Sequence, residues 1–191
     1  MSIKGDNSRA RILSIARKLF AQKGYSKVTM QDICTAANIS RGGLYRHYSS
    51  TEEIFSAIIR KDESDALDFL AGAVLDHVPG EIMFKTFLKL RINTLLDPDT
   101  CIDNAISEFA ANSRAGKDLL IERANNSIQI LTEMLELGLT DGSFKCRDCK
   151  SASKMILWTL EGLGKHNALI PLTPEEADEY ISIIIRSVSS K

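Results

Sequence analysis

Three helix-start signals fall within residues 26–55, SKVTMQDICTAANISRGGLYRHYSSTEEIF. Thr29 can cap a helix, with Asp32 three residues on as the reciprocal partner of a capping box. Ser40 can cap the next helix, and Ser50 with Glu53 a third. Asn38 lies in the turn between the first two, where a left-handed backbone is tolerated. Helices this short are not stable alone and need a shared core. The preceding segment supplies one: Ile12, Ile15, Ala16, Leu19 and Phe20 fall on one helical face, and Gly24 ends that helix. Ile33, Ala36 and Ala37 turn inward from the second helix. Leu44 and Tyr48 do so from the third, onto Leu19, Phe20 and Ile33. The stretch therefore predicts a compact three-helix unit with a tight turn between its last two helices.

The rest of the chain is helical in period, with no sustained strand alternation. A fourth helix is expected from Thr51 to His77, spanning roughly 40 Å at 1.5 Å per residue. Ile54, Phe55, Ile58 and Ile59 stripe its first part, and Ala66, Phe69, Leu70, Ala73 and Val74 its last. Residues 60–65, RKDESD, are polar all round, which predicts a helix that bridges two packed units. Pro79-Gly80 stops it. Further helices are expected at about 80–96, 100–114, 117–139, 148–167 and 174–189, the last capped by Thr173 with Pro174 and Glu176. The expected fold is all-α with about nine helices. Residues 1–50 form a head, helix 51–77 bridges, and residues 51–191 form the body.

Charge separates along the same line. Net charge is −1, yet residues 1–60 hold ten Lys/Arg against four acids. A basic head on an acidic body suits a polyanion partner for the head alone. There is no nucleophile motif, phosphate loop or paired-acid constellation, so no enzyme, cofactor or metal site is expected. The start lacks the apolar core of a signal peptide, and no run is long enough to span a bilayer, which points to the cytoplasm. Four cysteines do not make a disulfide scaffold at this length.

The third helix, SRGGLYRHY, carries the chemistry. Its glycines weaken a helix by about 1 kcal/mol each relative to alanine. They make sense where bare backbone at Gly42 and Gly43 must approach base edges. Beyond the Ser40 cap, Arg41 and Arg46 can reach guanine edges or phosphates, while Tyr45 and His47 can donate to phosphate oxygens. Thr29 offers a hydroxyl and a helix N-terminus to another phosphate. His47 has no second histidine or acid at ligand spacing, which argues against a metal role. Singly these are ordinary surface residues; after a capped helix and a turn they read as a DNA-recognition helix.

These residues resemble the N-terminal domain of the TetR family of bacterial transcription regulators. ILSIARKLFAQKGYSKVTM is similar to that family's first helix, and QDICTAANISRGGLYRHYSSTEEIF to its helix-turn-helix and the start of helix four. The resemblance covers about residues 9–59. It implies that Thr29, Arg41, Gly42, Tyr45, Arg46 and His47 touch DNA, with Tyr45 and His47 mainly at phosphates. It implies a homodimer on a roughly palindromic operator, released by a small molecule. Two positions depart from the pattern. Thr51 stands where many members carry a phosphate-gripping lysine, so its hydroxyl or the helix N-terminus must substitute; Asn38 replaces a common turn glycine.

In the body, MILWTLEGLG and the last helix are apolar on several faces, with Gly162 and Gly164 allowing close approach. A two-sided helix needs a core and a partner. The expected dimer interface is Ile156, Leu160, Leu163, Tyr180, Ile181, Ile184 and Val188. An apolar or aromatic effector is expected between helices four and eight, lined by Phe84, Phe87, Leu88, Arg91, Phe109, Asn112, Ile130, Met134, Trp158 and His166. The alternative regulator is a thiol-redox or metal sensor acting through Cys146 and Cys149.

Overall fold

The computed structural model describes residues 3–167 and 169–189, with side chains from Asn7 onward. Among them are nine helices: α1 (Ile3–Lys23), α2 (Met30–Ala37), α3 (Arg41–Tyr45), α4 (Thr51–Leu75), α5 (Gly80–Leu96), α6 (Asp103–Asn112), α7 (Arg114–Thr140), α8 (Cys149–Asn167) and α9 (Pro174–Val188). The only extended pairing among the described residues is an isolated bridge between Phe144 and Ser189. The fold is all-α, as the periodicity requires.

The chain packs as two compact units. One comprises Met1–Asp62 with Pro98–Leu120, the other Glu63–Asp97 with Ile121–Lys191. The head expected at 1–50 thus extends through the first part of α4 and takes in α6. Its core joins Ile12, Ala16 and Phe20 of α1 to Ile33, Leu44, Ile54, Phe55 and Ile58, and to Ile106 and Phe109 of α6. Phe55 packs edge-on against Phe20 at 4.7 Å and against Phe109 at 5.3 Å, and Tyr25 lies 4.7 Å from Phe109. Arg17 forks onto both Asp62 carboxylate oxygens (2.7 and 2.9 Å) and also donates to the Thr100 carbonyl.

The second unit packs Leu70, Met83, Phe84, Leu88, Ile92, Met134, Leu135, Ile156, Leu160, Ile181, Ile184 and Val188 into one core. Its corner is a close backbone approach: a Cβ on Gly80 would lie 2.4 Å from Gly138 Cα. The Gly80 amide donates to Asp141 at 2.6 Å there. This hydrogen bond, with those from Ser143, holds the Asp141 carboxyl below its ordinary value. The fourth helix stops at Leu75, short of the expected His77, because His77 turns to φ 52°.

Candidate DNA interface

The turn is built as its residues dictate. Asn38 closes α2 at φ 49° and ψ 53°, and its amide donates back to the Cys34 and Thr35 carbonyls. Arg11 donates to the Ala37 carbonyl at 2.8 Å, which ties α1 to the end of α2. Leu44 is fully buried and Tyr48 nearly so, which fixes α3 on its inner side. The Arg9 guanidinium lies 5.8 Å from the Tyr48 ring centroid.

The outer side of α3 is then presented to solvent. Arg41, Gly42, Tyr45 and Arg46 are exposed, and His47 is half-buried. The two glycines differ. A Cβ at Gly42 would meet nothing within 4 Å, whereas at Gly43 it would press on the Ser40 hydroxyl at 3.2 Å. Gly42 is therefore bare surface. Gly43 makes room for the Ser40 cap, which accepts its amide at 3.1 Å. Gln31 of α2 accepts from Arg41 Nε at 3.0 Å and so orients that side chain. The sequence reading missed Gln31, since only its packing opposite Arg41 marks it.

The two flanking helix starts are occupied more fully than the sequence suggests. Thr29 completes its capping box: its hydroxyl accepts from the Asp32 amide, and both its hydroxyl and its amide donate to the Asp32 carboxylate. These bonds, chiefly the Thr29 hydroxyl, with Lys23 at 3.1 Å, hold the Asp32 carboxyl down to about 2. The Thr29 hydroxyl and amide are thus engaged, and the free donors at this N-terminus are the first amides of α2, at Met30 and Gln31. At α4, Ser50 accepts the Glu53 amide, but Glu53 reaches back to the Ser49 amide and hydroxyl (2.6 and 2.8 Å) rather than to Ser50. The Tyr25 phenol stands nearby, its pKa raised chiefly by burial.

Residues 12–58 match the family described as bacterial regulatory proteins, tetR family. Over 148 residues the chain is 31% identical to the HTH-type transcriptional repressor KstR2 of Rhodococcus jostii, covering 72% of this chain and 68% of that one. The chain belongs to the TetR family. It is also 27% identical over 143 residues to the uncharacterized HTH-type transcriptional regulator YfiR of Bacillus subtilis, covering 73% of this chain and 69% of that protein. The fold superposes on reduced NemR of E. coli with TM-score 0.79 at 13% identity, covering 97% and 98% of the two chains. As a TetR-family member it is a DNA-binding transcriptional regulator, and the relatives compared are regulators, not enzymes.

Elsewhere in this TetR-family chain, the residues expected at the effector pocket are divided between the two units. Phe109 and Asn112, expected at the effector pocket, lie in the first unit: Phe109 is in its aromatic core, and Asn112 donates to Ser26 at 3.1 Å. The α6 stripe of Ala105, Ile106 and Phe109 has the right period for any core, and only tertiary packing decides which. Phe84, Leu88, Ile130 and Met134 are buried in the second core, and half-buried Phe87 packs beside it. Arg91 is half-buried. Trp158 is 66% exposed. His166 is exposed and bonds the Gly162 carbonyl of its own helix at 2.9 Å.

Among the described residues, a groove of the second unit lies between α4 and α7. It is lined by Leu67, Asp68, Leu70, Ala71, Val74 and Leu75 with Glu133, Glu136, Leu137 and Thr140, and none of the ten expected residues lines it.

The residues expected at a dimer interface sit in two settings. Ile156, Leu160, Ile181, Ile184 and Val188 are buried within the chain itself, while Leu163 and Tyr180 are half-buried. The open apolar side chains of α8 and α9 are Met155, Trp158 and Ile183. Helices apolar on several faces do not declare which face is the inner one.

Burial, with Cys146 adding to it, pushes the Cys149 thiol up to about 11. That is the protonated, inert condition rather than a reactive thiolate. Among the described residues no three His, Cys, Asp or Glu side chains gather as a metal site. No helix among them is long and apolar enough to cross a membrane.

Proposed function

We propose that the chain is a ligand-responsive repressor that binds a roughly palindromic operator as a cytoplasmic homodimer and lets go when a small molecule enters the second unit. The observation that carries this reading is the α3 surface. Bare backbone at Gly42, an Arg41 oriented by Gln31, and exposed Tyr45 and Arg46 stand on a helix whose inner side is fully buried. That geometry suits major-groove reading, with arginine forks on guanine edges and Tyr45 and His47 on phosphates. Thr51, at the start of α4, contributes its hydroxyl or the helix N-terminus to a phosphate.

A second copy suits the stripes left open on the last two helices. Met155, Trp158 and Gly162 repeat at helical spacing on α8, and a Cβ at Gly162 would meet nothing within 4 Å. Ile183 lies between Tyr180 and Ser187 on α9 in the same way. Burying both stripes against their symmetry mates forms a four-helix interface. Two recognition helices then fall about one DNA turn apart, roughly 34–36 Å. Helix α4, continuous from Thr51 to Leu75, is the lever by which an effector changes that separation. An effector acts only through unequal affinity for the DNA-bound and free conformations.

The test is binding to the DNA flanking the chain's own gene, followed by release with candidate effectors. Saturable, fragment-selective binding that an effector reverses supports the reading. Binding that no salt concentration or fragment changes contradicts it.

A further inference from the structure

We infer that the α4–α7 groove of the second unit takes an amphiphilic organic cation: an apolar body carrying an ammonium-type charge. The inference rests on the repressor reading above and adds the chemical class of its effector.

The groove is formed by one face of each helix. Leu67, Leu70, Ala71, Val74 and Leu75 recur at helical spacing on α4, and Glu133, Glu136, Leu137 and Thr140 on α7. Its volume is about 790 Å³, within the range of small-molecule sites. The apolar lining is unusually open: Leu75 is 78% exposed, Leu67 51%, Val74 46% and Leu137 36%. A contiguous apolar strip of this kind on a water-facing surface marks a binding site more often than chance exposure does.

Charge selects the occupant. Three of the ten lining side chains are carboxylates, Asp68 on α4 with Glu133 and Glu136 on α7, and no lysine or arginine lines the groove. Glu133 accepts a hydrogen bond from Gln129 at 3.0 Å, a neutral partner. Among the described residues no basic side chain pairs with any of the three. An anionic guest would meet three carboxylates with no basic side chain in the lining to offset them, and a neutral one would draw nothing from them. A cation pairs with these carboxylates while its apolar body covers Leu67, Val74, Leu75 and Leu137.

The test titrates octyltrimethylammonium, octanol and octanoate into the full chain by calorimetry, at low and high salt. Saturable binding of the cation alone, weakened by salt, is expected. The triple variant Asp68→Asn/Glu133→Gln/Glu136→Gln should lose about tenfold in cation affinity, as three partly exposed ionic contacts together allow. Its melting temperature, read alongside, should stay within a few degrees of the parent. Equal binding of all three probes, an unchanged triple variant, or no binding at all would overturn the inference. So would a Leu75→Glu chain that changes from dimer to monomer in sedimentation, since a second copy would then be the occupant. Operator release is measured separately by anisotropy. Selective cation binding upholds the assignment of the groove even where the operator stays bound, and that second result would count against release as the mode of regulation instead.

Discussion

Gly42 and Gly43 adjoin in the sequence and answer to different forces. Alanine at Gly42 enters open space, so Gly42→Ala should raise helix stability by about 0.5 kcal/mol while weakening operator binding, because the new methyl occupies the approach of base edges. Alanine at Gly43 presses on Ser40 Oγ and should cost about 1 kcal/mol through the damaged cap. Urea melts beside anisotropy titrations separate the two; parallel changes would contradict the assignment. Asp32 gives a pH signature. Its folded pKa of about 2 lies below the usual carboxylate value of about 3.9, so its contribution is complete above the unfolded pKa and lost as pH falls through about 2. Asp32→Asn should therefore lower the melting temperature at pH 6, and the gap from the parent should close toward pH 2. A gap that persists at pH 2 would mean that ionisation is not the cause.

At the scale of elements, the sequence declares faces and not partners. The Thr29, Ser40 and Thr173 caps, the Asn38 turn and the inward Leu44 and Tyr48 were legible because each is set within a few residues. The outward placement of Arg41, Tyr45 and Arg46 on α3 was legible for the same reason; the contact of Gln31 on α2 was not, because only the fold brings it to Arg41. The home of α6 was not legible. Its apolar stripe fits either core, and only the aromatic packing of Phe109 with Tyr25 and Phe55 settles the matter. The inner faces of α8 and α9 were hidden likewise, because apolar residues surround both helices. Phe109→Ala should accordingly cost about 3–5 kcal/mol of stability as a core cavity. Its effect on effector response should be confined to that loss, which chemical denaturation and effector titration on the same sample would reveal. A selective change in effector affinity at unchanged stability would return Phe109 to the ligand site.

On the scale of the whole molecule, dimer and lever are coupled claims. Trp158→Glu places a charge in the open α8 stripe and should give monomers in sedimentation equilibrium with the helical signal intact; an unaltered dimer would move the interface elsewhere. Phe69 and Phe87 meet at 6.3 Å between α4 and α5 within the second unit. Phe69→Ala or Phe87→Ala should change the effector concentration needed for release more than bare operator affinity, and equal loss of both would count against the lever. The central claim, that the exposed face of α3 reads operator DNA, is tested most directly by fluorescence anisotropy on the DNA flanking the chain's own gene. The titration is run across salt concentrations with Tyr45→Ala and Arg46→Ala beside the parent. The expected result is tight, fragment-selective binding with a steep salt dependence, weakened in both variants, with the slope reduced by about one for each phosphate that a variant no longer neutralises. Parent and variants binding alike, or no binding even at low salt, would contradict it.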